Sequence, residues 1–262
     1  MLSLLERPSP NFDVRQTPIE LVVLHYTGMQ SEEIALQRLT DPKPIAGRYP
    51  GPWDAPGSDP NAEAPRVSCH YVVGERGVIY RIVDEAHRAW QAGRGAWLGR
   101  EDLNSRSIGI EIVNGGHDFG LPEFPDAQIA AVIALLRNIL LRNKLQPRDV
   151  IGHSDLAPGR KKDPGEKFPW RRLAAAGVSI WPRAPTPAIY RTLLPGETSK
   201  AAEALQRDLA AFGYGVQITG AIDAQTMLVL EAFQRRFRPS RVDGQADAET
   251  IALLADLLAQ PA

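Results

Sequence analysis

The chain has 262 residues, above the usual single-domain size of about 100–150, so a large domain with a smaller companion is expected. Hydrophobic residues make up 44% and charged residues 23%, which excludes a disordered or fibrous architecture over most of the length. With 30 basic and 31 acidic side chains the net charge is −1, so no field steers the molecule to nucleic acid or to an anionic membrane, and the single cysteine, Cys69, excludes a disulfide framework.

The longest apolar runs, 21–24 and 129–136, fall far short of the about 20 residues that a membrane span needs, so no transmembrane segment is expected. The opening stretch MLSLLERPSPNF has neither a basic n-region nor an apolar h-region. Read literally this places the protein in the cytoplasm; a trimmed mature form would instead be periplasmic or associated with the outer membrane.

In chain order, 21–25 is apolar and β-branched and reads as a strand, 31–38 as a helix, and 66–73 and 77–83 as two strands joined by a turn at Gly74–Gly77. The alternation of Ile108, Ile110 and Ile112 predicts a strand over 107–113, and apolar spacing after Asp126 predicts a helix over 126–144 that packs on the sheet. The expected class is α/β, a mixed sheet flanked by helices. Between 41 and 65 lies a stretch dense in Pro, Gly, Asp and Asn that reads as a long loop, placed to wall a site, the alternative being an inert insertion.

Near Trp181 the composition turns proline-rich, giving a linker over 183–199 between a domain at 1–182 and a small three-helix domain at 200–262. Within that tail TGAIDAQT and VDGQADAET look alike, an internal pseudo-repeat.

His25 shares a strand face with Leu21 and Val23 and stands at the strand's carboxyl end, where α/β proteins tend to place ligands, although taken alone it reads as a hydrogen-bonded core residue. The segment IGHSDLAPGRKKDPGEKFPW concentrates His153, Asp155, Lys161, Lys162 and Asp163 among prolines and glycines, as a loop-borne site requires. His25, His153 and Asp163 have the composition of an open zinc site, against which stands a solvated, salt-bridged loop. Glu111 lies opposite the isoleucine face, either solvated or near a cavity, where a carboxylate can shuttle the proton of hydrolysis; Lys161 is the cation that can stabilise an oxyanion. Cys69 and His70 are strand neighbours and point to opposite faces, so Cys69 is assigned to the core and His70 to the site lining or to support of a ligand. His87 and His117 read as solvated surface.

At these residues the sequence resembles the type-2 N-acetylmuramoyl-L-alanine amidases, zinc enzymes related to phage T7 lysozyme and to the peptidoglycan recognition proteins. The matching stretches are LVVLHYTG, RVSCHYVVGERGVIYRIV, RAWQAG, LNSRSIGIEIVN and GHSDLAPGRKKDPGEKFPW, in the family's order. The resemblance implies Zn2+ held by His25, His153 and Asp163, Glu111 as the catalytic carboxylate and Lys161 at the oxyanion, with Arg66, Tyr26 and His70 as substrate contacts. Gln91 stands where many relatives carry His. The tail, through LQRDLAAFGY, TGAIDAQT, FQRRF and DGQADAET, resembles the three-helix peptidoglycan-binding domain, and the order of the two units is that of the AmiD-like branch.

The expected activity is therefore hydrolysis of the amide between the lactyl group of N-acetylmuramic acid, or its anhydro form, and L-Ala, in cell-wall turnover or recycling. Its partners would be peptidoglycan or muropeptides and no nucleic acid, and its working unit a monomer. The alternative is a non-catalytic peptidoglycan recognition protein, from which retention of Asp163 separates it.

Overall fold

A computed structural model of the chain describes residues 3–49, 59, 61–183 and 190–261. In chain order its first part contains β1 (Leu5–Glu6), β2 (Phe12–Val14), β3 (Leu21–Tyr26), α1 (Glu32–Thr40), β4 (Tyr71–Val73), β5 (Ile79–Arg81), β6 (His87–Ala89), α2 (Leu103–Arg106), β7 (Ser107–Ile112), α3 (Asp126–Asn143), β8 (Val150–Gly152), α4 (His153–Leu156) and α5 (Trp170–Ala175). The tail contributes α6 (Lys200–Phe212), α7 (Ala224–Phe237) and α8 (Ala248–Leu258).

Six strands form one sheet in the order β1-β5-β4-β7-β3-β8, and β2 pairs with β6 apart from it. Every pairing in the large sheet is parallel except the β4–β5 hairpin, so the expected mixed sheet is present. The central strand β3, LVVLHY, is buried from Leu21 to His25, the near-continuous apolar run of a parallel strand covered on both faces. One face carries Val22, Leu24, Ile108, Ile110 and Ile112, which pack with Ile129, Val132, Leu136 and Ile139 of α3. The other carries Leu21, Val23 and Ile151 in one apolar cluster with Leu205, Leu209, Phe233 and Phe237 of the tail. The tail thus helps to cover the second face of the sheet.

The capping chemistry of the tail explains its pseudo-repeat. Asp223 and Asp247 each cap a helix by accepting from the backbone N–H and the hydroxyl of a Thr three residues on. Upstream, the buried amides of Gln206 and Gln234 each donate to that Thr and to a carbonyl of the intervening turn, and accept from the turn's N–H groups. Two copies of one helix, turn and capped helix result.

Several sequence expectations shift. The strand expected over 66–73 is regular only at Tyr71–Val73, because the Ser68 N–H donates to the Trp90 carbonyl rather than to a ladder partner. The helix after Asp126 has Pro125 at its cap and no side-chain cap bond, so Asp126 acts as a first-turn acid. Strands β1, β2 and β6 have no sequence signal, being short and at the periphery. No helix among the described residues is long and apolar enough to cross a membrane.

Candidate active site

The carboxyl ends of β3, β7 and β8 meet at one edge of the sheet, and each delivers a side chain to it. His25 is the Cα partner of Glu111 across the β3–β7 ladder, and His153 begins α4 directly after β8. The loop that follows returns Asp163, and the backbone N–H of Ser154 donates to the Asp163 carbonyl at 2.9 Å, tying the two ends of that loop together.

His25 Nδ1, His153 Nδ1 and Asp163 Oδ2 lie 2.9 Å from one another. All three residues are buried. The opposite ring nitrogens are engaged elsewhere: His25 Nε2 donates to Gln91 Oε1 at 2.5 Å and His153 Nε2 donates to the Ala92 carbonyl at 2.9 Å. With the ring protons on Nε2, both Nδ1 atoms are bare lone pairs facing a carboxylate oxygen. Three acceptors aimed at one point repel one another unless a cation lies between them, and two imidazoles with one carboxylate are a donor set that suits zinc and leaves a coordination position open.

The electrostatics of His153 and Asp163 agree with that reading, whereas the two carboxylates beside His25 favour its protonated form. Burial pushes the His153 imidazole down to about 4, so it is neutral at physiological pH. Burial works against ionisation of Asp163 as well, yet His153 and His25 together hold its carboxyl well below the usual range. Burial also disfavours a charged His25, but Glu111 and Asp163 outweigh it and raise its pKa.

Glu111 Oε2 is enclosed and has no hydrogen-bond partner among the described residues. Burial pushes its carboxyl up to about 7, with His25 the largest opposing influence. Gly109, on the same strand face, makes room for the Gln91 arm: a Cβ there would stand 2.5 Å from Gln91 Cγ. Gln91 is held by its own Nε2–H on Ser107 Oγ and by Asn104 Oδ1, which accepts from the backbone of Gln91 and Ala92.

Above these groups opens a cavity of about 650 Å³, of the size that takes a small ligand. Tyr26, Trp90, Lys161 and Pro65 are in its lining. Of the proline-rich stretch at 41–65, residues 50–58 and 60 lie outside the described residues, and of the described ones only Pro65 is in the cavity lining. His117, read from sequence as solvated, lines the cavity instead: it accepts from Tyr26 Oη at 2.9 Å and donates to Glu166 at 3.0 Å. Its place in the Gly-containing loop just after β7 was the available signal.

Two candidates stand outside the cavity. Arg66 is exposed and its guanidinium lies 5.0 Å from the Trp90 ring centroid, outside the lining. His70 is fully buried away from the cavity, which corrects its assignment to the lining: its Nδ1 accepts from the Gly109 N–H at 2.9 Å and its Nε2–H reaches the His87 carbonyl. Cys69 is buried, as expected.

Residues 15–166 match the family described as N-acetylmuramoyl-L-alanine amidase. The chain belongs to that family. Residues 198–254 match a peptidoglycan binding domain family, so both units are accounted for. The amidase is 36% identical to N-acetylmuramoyl-L-alanine amidase AmiD of Escherichia coli over 245 residues, 92% of this chain and 82% of that protein. It is 33% identical to the 1,6-anhydro-N-acetylmuramyl-L-alanine amidase AmpD of Haemophilus influenzae, over 64% of this chain and 89% of that one. Among solved structures, E. coli AmiD in complex with anhydro-N-acetylmuramic acid-L-Ala-D-gamma-Glu-L-Lys superposes with a TM-score of 0.73 at 35% identity, covering 92% of this chain and 88% of that one. AMPDH3 of Pseudomonas aeruginosa with anhydromuramic pentapeptide gives 0.72 at 33% identity, covering 91% and 90%.

Proposed function

We propose that this amidase cleaves the amide between the lactyl group of N-acetylmuramic acid, or its anhydro form, and L-Ala of a muropeptide stem, with zinc held by His25, His153 and Asp163. The observation that carries the proposal is the convergence of three acceptor atoms 2.9 Å apart, beneath an open cavity and beside a buried carboxylate. Complexes of AmiD and AMPDH3 with anhydromuramyl peptides support the substrate class.

Zinc at these donors would supply Lewis acidity, polarising the scissile carbonyl and acidifying water near neutral pH. Glu111 then moves the proton. Its carboxylate takes one from the attacking water as the C–O bond forms, and its carboxylic acid delivers it to the L-Ala nitrogen as the C–N bond breaks. A pKa of about 7 makes both forms accessible at neutral pH. Lys161, in the cavity lining, offers an ammonium to the oxyanion. Tyr26 and Trp90 present ring surface to the muramyl or peptide portion, with Arg66 behind Trp90. We place the units at 1–182 and 200–262 with a linker over 183–199, the family matches covering 15–166 and 198–254, and assign the tail a hold on murein.

The test is digestion of a soluble anhydromuramyl tripeptide followed by mass spectrometry. Release of intact tripeptide and anhydro-N-acetylmuramic acid is expected. An uncleaved substrate, or a cut within the peptide, would overturn the assignment.

A further inference from the structure

Asp155 follows His153 by two residues and is wholly buried. Its Oδ2 accepts from the Gly152 N–H at 2.8 Å and so closes the first turn of α4, the turn that starts with His153. That leaves a buried carboxylate whose charge one backbone N–H does not balance. The rest of its partners come from the tail. Tyr214 Oη donates to Asp155 Oδ1 at 2.6 Å, and Arg236 Nη1 donates to Oδ2 at 3.0 Å.

Arg236 does more than neutralise. Its Nη2 donates to the Val150 carbonyl on β8 at 2.8 Å, and its guanidinium lies 4.5 Å from the Trp170 ring centroid. It therefore grips the strand before the His153 turn, the turn itself and the helix after the Asp163 loop. Packing between these parts is tight: a Cβ on Gly152 would meet Pro164 Cδ at 2.9 Å and Trp170 at 3.4 Å. Tyr214 is fixed in turn by Trp97 of the first unit, ring centroids 5.1 Å apart, and the Leu98 N–H donates to the Gly213 carbonyl.

We propose that Tyr214 and Arg236 are positioning residues for the metal site: through Asp155 the tail sets the turn that aims His153 and, by the Ser154 to Asp163 backbone bond, the carboxylate opposite it. The inference rests on the reading of His153 and Asp163 as zinc donors. On this account the tail is part of the frame of the catalytic centre, in addition to any hold on the wall. A tether alone helps only with polymeric substrate; a frame acts equally on a small soluble one.

The experiment uses the full chain with Tyr214→Phe, which keeps the ring and loses one hydrogen bond, and Arg236→Lys, which keeps the charge and loses the bridge between Asp155 and Val150. Gln206→Ala serves as the control, since the hydrogen bonds of the Gln206 side chain all stay within the tail. Zinc affinity is measured by chelator competition at a temperature where each variant is folded by circular dichroism, alongside kcat and KM on a soluble anhydromuramyl tripeptide. Both contact variants should bind zinc about tenfold more weakly, the scale seen when a partner of a metal ligand is removed. Their kcat should fall at zinc levels that saturate the wild type while KM holds, and Gln206→Ala should match the wild type. Wild-type zinc affinity and kcat in both contact variants, or an equal loss in Gln206→Ala, would overturn the proposal. A wild-type protein that binds no zinc would instead defeat the donor assignment on which it rests.

Discussion

Glu111 is the direct cross-strand partner of His25, so parallel pairing of β3 and β7 sets the proposed proton-transfer group beside a proposed metal donor without any loop having to place it. The position is rigid because both strands lie in the middle of the sheet. Glu111 Oε2 has no hydrogen-bond partner among the described residues, and the residue lines the cavity.

Glu111→Gln preserves shape and removes the proton acceptor. General acid–base groups contribute about 10²–10⁴ in rate, so kcat should fall by about a thousandfold while zinc content is unchanged. Full activity would remove Glu111 from the chemistry, and loss of zinc would make it a structural partner of the donors.

Gln91 holds the proton of His25 on Nε2 and so leaves Nδ1 free to act as a donor. Gln91→Leu should weaken zinc binding by about 10–100-fold with little change in global stability. Gly109→Ala should weaken it too, because the new Cβ would displace the Gln91 arm. Titration of chelator-stripped protein with zinc distinguishes these outcomes; unchanged affinity in both variants would show that the tautomer of His25 is set elsewhere.

His70 gives a pH dependence of stability that is separate from the site. Burial, aided by the neighbouring Arg15 guanidinium, lowers its pKa to about 4, against an ordinary value of 6.5. Between those values the unfolded chain binds more protons than the folded one. Its contribution is therefore complete above about pH 6.5 and lost as pH falls through 4, amounting to about 3 kcal/mol. Urea unfolding at pH 7 and pH 4.5 should show a smaller acid loss for His70→Gln than for the wild type. Equal slopes would mean that His70 is protonated in the fold.

The cluster proposed to hold the metal was legible because its residues are written locally: a histidine at the end of an apolar strand, and a second histidine and an aspartate in one Pro- and Gly-rich loop. Glu111 was legible from strand alternation, since Ile108, Ile110 and Ile112 fix the opposite face. Groups that act through tertiary contact were not. His70 sits beside the site in sequence, but its ring turns to the Gly109 backbone and to Arg15, 55 residues away. His117 looked like a polar loop residue until Tyr26 and Glu166, distant in sequence, closed around it. Asp155 could be placed in the loop but not paired, because Tyr214 and Arg236 lie 59 and 81 residues further on, beyond the linker. Periodicity reports which face a residue takes, and only the fold reports what meets it there.

The central claim is that His25, His153 and Asp163 hold a zinc ion that the amidase needs. The most direct test strips the protein with a chelator and titrates zinc back while following release of stem peptide from a soluble muropeptide. The account predicts no activity in the stripped protein and recovery that saturates at one zinc per chain. Undiminished activity in protein shown by elemental analysis to be free of metal would contradict it.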